Sequence, residues 1–281
     1  RDPGTRSKAM TLALASIHIY PIKSLGGYSV ERAQVTPRGL EHDRRWMLID
    51  PNGRFLSQRE HGELACLHVS PTTDGMRVVD IRNSDELIIP WGLDHGETLR
   101  ATIWNDAVDA LLAPQEINDW FNERSLPGIR LVYMPDSTVR PTDPNFAIGQ
   151  TSLSDGFPFL IISQVSLDDL NQRIQIDGSA SVIPMERFRP NLVLEGGEPF
   201  QEDDWSTIRI GETRFELVKR CARCVITTTD QRTGRRANEP LRTLATYRKR
   251  VTPEGAVKLE FGMNAICLSG KVIQVGDLVT A

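Results

Sequence analysis

The sequence predicts an α+β chain that is mainly β, with a β-barrel-like module and a smaller mixed α/β region on its N-terminal side. Three observations carry this prediction. Short runs of alternating apolar and polar residues recur along the chain, each bounded by Gly, Pro, Asn or Asp. Apolar residues fall on the helical period in only a few short stretches. Strands do not alternate regularly with helices, so a doubly wound parallel sheet is not expected.

The elements follow in order. Ser16–Ile22 and Tyr28–Thr36 alternate as strands, and Pro37-Arg38-Gly39 turns the chain. Trp46–Asp50 and Arg54–Leu56 flank Pro51-Asn52-Gly53, a hairpin signal. A second hairpin joins Met76–Ile81 to Glu86–Ile89 across Asn83-Ser84-Asp85. Ile117, Trp120 and Phe121 share one helical face, giving a helix over Pro114–Glu123 that Leu126-Pro127-Gly128 stops. Leu131–Met134 is a strand. Residues 135–157 are rich in Asp, Pro, Thr, Ser and Gly and read as a linker or a long functional loop. Phe159–Ser163 is a short buried strand. A helix capped by Ser166 then carries Leu167, Leu170 and Ile174 on one face. Asn191–Leu194 is a strand, and Thr207–Ile210 and Arg214–Val218 form a hairpin over Gly211-Glu212. The β-branched run Val225–Thr229 reads as strand. Pro240–Tyr247 reads as helix with Pro in its first turn. Ile266–Leu268 and Val272–Val279 close the fold.

Composition narrows the function classes. The chain has 281 residues, 33 Lys plus Arg against 37 Asp plus Glu, a net charge of −4, 40% hydrophobic and 25% charged residues. These values belong to a globular protein of about two domains. The small acidic net charge argues against general nucleic-acid binding, which needs a basic face. No apolar run is long enough for a membrane span. Four cysteines are too few for a disulfide scaffold, so a reduced, cytoplasmic setting is expected. Arg1–Lys8 read as an expression remnant before a native start at Met10. A signal peptide is the rival reading, and His18 and Pro21 count against it.

The phosphate-loop, dinucleotide, zinc-protease and nucleophile-elbow motifs are absent. The informative segment is Cys221-Ala222-Arg223-Cys224, two thiols flanked by Lys219, Arg220 and Arg223, whose charge favours thiolate. A thioredoxin-type pair would open a helix, yet Val225-Ile226-Thr227-Thr228-Thr229 forms helix poorly. Half a zinc site would need a second cysteine pair, and the five histidines, His18, His42, His61, His68 and His95, all lie far upstream. A single soft thiolate on a transition metal needs one cysteine only. Two packed cysteines at a strand end would need no chemistry at all.

Three groups of residues are similar to one family. Arg187-Phe188-Arg189-Pro190-Asn191-Leu192-Val193, Glu202-Asp203-Asp204-Trp205, Ile210-Gly211 and Cys221 through Asp230 resemble a MOSC domain. Upstream, Tyr20 through Gly27 and Gly39-Leu40 through Asp43-Arg44-Arg45-Trp46 resemble the MOSC N-terminal region. Downstream, Glu239-Pro240-Leu241, Phe261-Gly262 and Val275-Gly276-Asp277 continue the likeness. The branch resembled is that of the mitochondrial amidoxime reducing component and its bacterial relatives. On this resemblance residues 10–130 form the N-terminal region, whose first strands pack with the barrel, and residues 131–281 the MOSC domain.

The resemblance implies a molybdenum cofactor, molybdopterin-bound, with the metal on one protein cysteine. By position that ligand is Cys224, with Cys221 a neighbour. The implied cofactor contacts are Lys23, Ser24, Arg44, Asp155, Gly156, Phe157, Arg189, Asn191, Ala222, Arg223, Cys224 and Asn264. Asp230 is implied beside Cys224 as a catalytic candidate that orders the metal loop or relays a proton. Taken singly, Lys23 and Arg44 read as solvated surface charges, Arg189 as half of an ion pair and Asp155 as a turn residue. The implied activity is oxidoreductase removal of oxygen from N–OH groups in amidoximes, hydroxylamines or N-hydroxylated bases. No cysteine cluster remains for an iron–sulfur centre, so electrons are expected from separate proteins: a ferredoxin, a flavoprotein reductase or a cytochrome b5-like donor. A cofactor carrier without turnover and a thiol or sulfur carrier are the alternatives.

Overall fold

A computed structural model describes residues 11–124, 127–178 and 182–281; the expectations for Arg1–Lys8, Met10 and Leu126 fall outside them. In chain order come β1 (Ala13–Ile19), β2 (Tyr28–Val30), β3 (Arg32–Thr36), β4 (Gly39–Leu40) and β5 (Trp46–Ile49). Then follow β6 (Leu67–Pro71), β7 (Gly75–Asp80), β8 (Asp85–Pro90), β9 (Thr98–Ile103), β10 (Asp106–Leu112), α1 (Gln115–Arg124) and β11 (Arg130–Tyr133). Beyond the 135–157 loop lie β12 (Phe159–Ser163), α2 (Gln164–Ile176), β13 (Leu192–Glu195), β14 (Thr207–Ile210) and β15 (Thr213–Ala222). The chain ends in α3 (Leu241–Tyr247), β16 (Lys249–Val251), β17 (Val257–Ser269), β18 (Val272–Gln274) and β19 (Val279–Thr280). The chain is mainly β, as its turn-bounded alternation predicts.

The largest sheet runs β19-β14-β15-β17-β12-β13-β1-β2, with β16 added to β17. Its inward residues Leu14, Ile17, Phe159, Leu192, Phe215 and Ala265 share one core. The small sheet β18-β3-β4 adds Ala33, Val35 and Ile273 to that core. Burying each large side chain contributes about 1.5–3 kcal/mol. The first strand is thus the partner of β13, nearly 180 residues later, with Ile17 opposite Leu192. A second body stacks the sheets β5-β11-β10-β9 and β6-β7-β8 against α1, around Trp46, Leu48, Trp120 and Phe121. α2 joins the parallel strands β12 and β13, which cannot be linked by a tight turn, and lays Leu167, Leu170 and Ile174 on Phe188 and Phe261.

Four expectations need correction. The cap of α2 is Ser163, whose Oγ accepts the Ser166 backbone N–H; Ser166 lies inside the helix, buried against Glu202. Tyr28–Thr36 is two strands, because Glu31 leaves the first pairing and its carbonyl accepts the Val275 N–H. Arg54–Leu56 forms no ladder with β5; a bridge at Ile49 and Phe55 closes the turn, and β5 pairs with β11 instead. Val272–Val279 is broken at Val275–Leu278, where Asp277 Oδ2 accepts the Gln274 N–H in a tight turn.

Candidate functional site

The site lies where the β1–β2 connection, the approach to β13, the end of β15 and the 152–157 loop meet. Strand β15 leaves its ladder at Ala222, and the Arg223 N–H makes a last bond to the Leu259 carbonyl. Cys224 is extended, with φ −123° and ψ −178°, and heads a 3₁₀ turn over Val225–Thr228. The sequence reads this run as strand from its β-branching. The threonine hydroxyls decide otherwise: Thr227 Oγ1 donates to the Cys224 carbonyl at 3.0 Å and Thr228 Oγ1 to that of Val225 at 2.7 Å. The turn leaves the Cys224 side chain half-buried at the cavity wall.

That wall carries five cations, Lys23, Arg44, Arg59, Arg189 and Arg223, and one carboxylate, Asp155. Lys23 and Arg44 are buried rather than solvated. Arg44 Nη1 bonds Asp43 and, at 3.0 Å, Asn191 Oδ1, while its Nη2 bonds the Arg189 carbonyl at 3.1 Å. Asn191 is fixed in turn by Leu160 and the His18 carbonyl. Arg189 Nη1 donates to the Leu25 carbonyl at 2.6 Å and, among the described residues, Arg189 pairs with no carboxylate. Arg223 donates to Cys221 Sγ at 2.9 Å and to the Phe188 carbonyl at 2.6 Å. Lys23 Nζ and Arg59 Nη2 grip the two oxygens of Asp155 at 2.5 and 2.9 Å.

Electrostatics follow from this crowding. Burial, reinforced by Arg140 and Arg59, brings the Lys23 amine down to about 8 despite Asp155. Burial and the neighbouring Arg44 bring Arg189 to about 10. Burial works to raise the Asp155 carboxyl, but Lys23 and Arg59 outweigh it and hold it far below the ordinary range, although half of that side chain faces solvent. Burial lowers the proton affinity of Arg59, and Asp155 and Cys224 more than restore it.

Backbone strain marks the same place. Ser24, Arg44 and Arg189 are left-handed, with φ of 70°, 47° and 56°. Each such residue costs about 1 kcal/mol, which the surrounding structure must offset. The 152–155 segment is clamped by buried Arg140, which donates to the carbonyls of Ser152, Ser154 and Asp155. Asn264 reaches the wall from β17, where Gly262 at φ +80° lets the strand approach β12; a Cβ there would stand 2.6 Å from Ile162.

The cavity wall thus contains Lys23, Ser24, Arg44, Asp155, Gly156, Phe157, Arg189, Asn191, Ala222, Arg223, Cys224 and Asn264 together. Asp230 is not among its residues. One of its oxygens accepts from Arg232, Thr233 and the Thr233 hydroxyl, the other from Arg187 at 2.9 Å, so its work is to shape the loop after the 3₁₀ turn. Sequence reasoning missed Arg59. Nothing in Ser57-Gln58-Arg59-Glu60 marks it, and it arrives through tertiary contacts: its guanidinium lies 4.5 Å from the Trp104 ring, and Arg236 holds its carbonyl.

Three buried donors on this wall, Arg59 Nη1, Arg189 Nη2 and Arg223 Nε, find no acceptor among the described residues. Buried guanidinium N–H groups are costly to leave unpaired, so the wall suits an anionic ligand rich in acceptors. No three His, Cys, Asp or Glu side chains converge as a metal site among the described residues. No described helix is long and apolar enough to cross a membrane.

Comparison with known proteins adds two matches in sequence order. Residues 11–125 match the MOSC N-terminal beta barrel domain and residues 149–280 the MOSC domain. Mitochondrial amidoxime-reducing component 1 of Mus musculus is 30% identical over 280 residues, covering 95% of this chain and 81% of that protein. The Homo sapiens protein of that name is 30% identical over 285 residues, 95% and 82% of the two chains. Molybdenum cofactor sulfurase of Danio rerio is 30% identical over 253 residues, 84% of this chain but only 30% of that longer protein.

Proposed function

The chain belongs to the MOSC family, and on that premise we propose that it is a molybdenum-cofactor-dependent reductase of N-hydroxylated compounds such as amidoximes and hydroxylamines. One observation carries the reading. A half-buried thiol at a strand end faces a wall of five cations and one carboxylate, on which three guanidinium donors lack a partner among the described residues. That donor set fits an anionic pterin–metal group.

In this reading Cys224 ligates the metal. Lys23, Ser24, Arg44, Arg189 and Asn191 bind the phosphate and the pterin, and Asp155-Gly156-Phe157, Ala222, Arg223 and Asn264 complete the cradle. When bound, the cofactor supplies the two-electron couple that removes oxygen from an N–OH group. The chain's own share is orientation and field. Arg44 and Arg189, fixed by Asn191 and backbone carbonyls, present charge with little reorganisation on binding. Phe157 and Phe188 add buried apolar surface to the wall. Asp155 stays ionised and keeps Lys23 and Arg59 in place. Asp230 acts through the loop it shapes. Electrons come from a separate ferredoxin, flavoprotein reductase or cytochrome b5-like protein, in a reducing compartment such as the cytoplasm. The two-part division at about residue 130 belongs to the same reading.

A second reading, a cofactor carrier without turnover, is favoured by the match to molybdenum cofactor sulfurases over this same region. Protein made in a cofactor-competent host should contain molybdenum and pterin. Cys224→Ala should lose the metal, while Cys221→Ala should keep most of it; the reverse would move the ligand assignment. Reduction of benzamidoxime with an artificial reductant separates the two readings, since loaded protein that reduces no N–O bond with any donor would leave only the carrier.

A further inference from the structure

Two like-charged guanidinium groups, Arg44 and Arg189, stand side by side beneath the cavity, and only Arg44 has a carboxylate partner among the described residues, Asp43. Something other than a counter-ion must hold Arg189 there. Both guanidinium carbons lie over the ring of one buried residue, Tyr20, at 4.5 Å for Arg44 and 4.3 Å for Arg189. Tyr20 is itself fixed at both backbone ends: its N–H donates to Asp43 Oδ1 at 2.8 Å and its carbonyl accepts the Arg44 N–H at 2.8 Å. Its hydroxyl is buried and has no partner among the described residues, so the ring is what the fold uses.

We propose that Tyr20 is a positioning residue: its ring holds the Arg189 side chain beside the Asp43-paired Arg44 and leaves Arg189 as the free prong of an anion clamp. The physical reason lies in what stacking leaves free. A carboxylate partner would neutralise Arg189 and occupy its in-plane donors. An aromatic face attracts the cation through the ring quadrupole and takes no N–H at all. Arg189 Nη2 accordingly remains unpaired, and Arg189 keeps its charge in a crowded positive site. The left-handed backbone at both arginines brings the two side chains onto the one ring from segments 145 residues apart.

This inference rests on the reading of the cavity as an anion-binding cofactor site, and its test keeps the two apart. The probe is sulfate, titrated into cofactor-free protein by calorimetry, with molybdenum content and thermal midpoint measured on the same variants made in a cofactor-competent host. Tyr20→Phe keeps the ring and should bind sulfate within about twofold of wild type, with unchanged molybdenum. Tyr20→Leu removes the ring and should weaken sulfate roughly tenfold or more, from the size of two lost cation–ring contacts. Tyr20→Met, a flexible apolar filler, should repeat that loss should the leucine protein fail to fold. Equal sulfate affinity in the wild type and the ring-less variants overturns the proposal, as does a Phe variant that loses as much as Leu, or a wild type that binds no sulfate. A merely structural role would lower the thermal midpoint of Leu and Met while sparing the affinity of the folded fraction. If the sulfate pattern holds but wild type carries no molybdenum, the clamp stands and the cofactor reading falls.

Discussion

Lys23 shows how a single side chain couples the site to pH. Its amine sits 2.5 Å from Asp155 and titrates at about 8, against an ordinary lysine value of 10.5. Below pH 8 it is charged in both the folded and the unfolded chain. Between 8 and 10.5 the unfolded chain holds a proton that the fold has released, so its contribution to stability rises with pH. Anion binding runs the other way, because the site loses a cation through the same window. Sulfate keeps its charge there, so its dissociation constant should rise several-fold between pH 7 and 9 in cofactor-free protein and stay nearly flat in Lys23→Arg. A wild type with no such slope would remove Lys23 from the anion site. At this scale the sequence was legible only as a constellation. Lys23 and Arg44 look like surface charges one at a time, and it is the ordered likeness to a family that groups them. Arg59 was illegible, since its place depends on Trp104, Asp155 and Arg236, none of which is near it in the chain.

At the scale of elements, hydroxyl groups decide what side-chain pattern leaves open. The Phe159–Ser163 strand, the Leu167–Leu170–Ile174 face and the Asn83-Ser84-Asp85 turn follow from periodicity and turn chemistry alone. The start of α2 and the run after Cys224 do not, because in both a serine or threonine Oγ chooses among nearby backbone partners. Ser163 caps α2, and Ser166 Oγ donates to the fully buried Glu202, whose carboxyl burial already pushes up. Loss of the cap in Ser163→Ala should cost about 1 kcal/mol. Ser166→Ala takes one donor from the buried Glu202 carboxylate, which keeps the Ser163 N–H, and leaves the Phe200 N–H without its acceptor, and should cost about 2 kcal/mol or more. Urea denaturation of the two variants checks the order; a larger loss at Ser163 would make the cap, not the Glu202 network, the stronger tie. The β9–β10 hairpin was missed for a related reason: its turn holds Trp104 at φ 55°, where a glycine would have announced it.

For the whole molecule, the site depends on parts of the chain that lie far apart in sequence. Lys23 and Arg44 come from the first fifth, Asp155 from the central loop, Arg189 and Cys224 from the second half. Alternation could reveal that β1 is a strand but not that it pairs with β13, because nothing in a period of two names a partner. One buried bridge joins these distant parts. The amides of Gln58 and Gln231 bond each other reciprocally at 3.2 and 3.1 Å. Gln58 also donates to the Ser24 carbonyl and Gln231 to that of Thr229. The pair therefore ties the strained Lys23–Ser24 turn to the end of the Cys224 turn. Gln58→Leu or Gln231→Leu leaves the surviving amide buried and half-paired, whereas the double variant removes both amides at once. The double should therefore lose less stability than the sum of the singles, by about 1–2 kcal/mol in a denaturation cycle. Molybdenum content should fall in both singles, since each loosens one side of the cavity. Additive losses within about 0.5 kcal/mol would mean that the amides serve their own segments separately. The cavity would then owe its shape to the Asp155 and Asn191 networks alone.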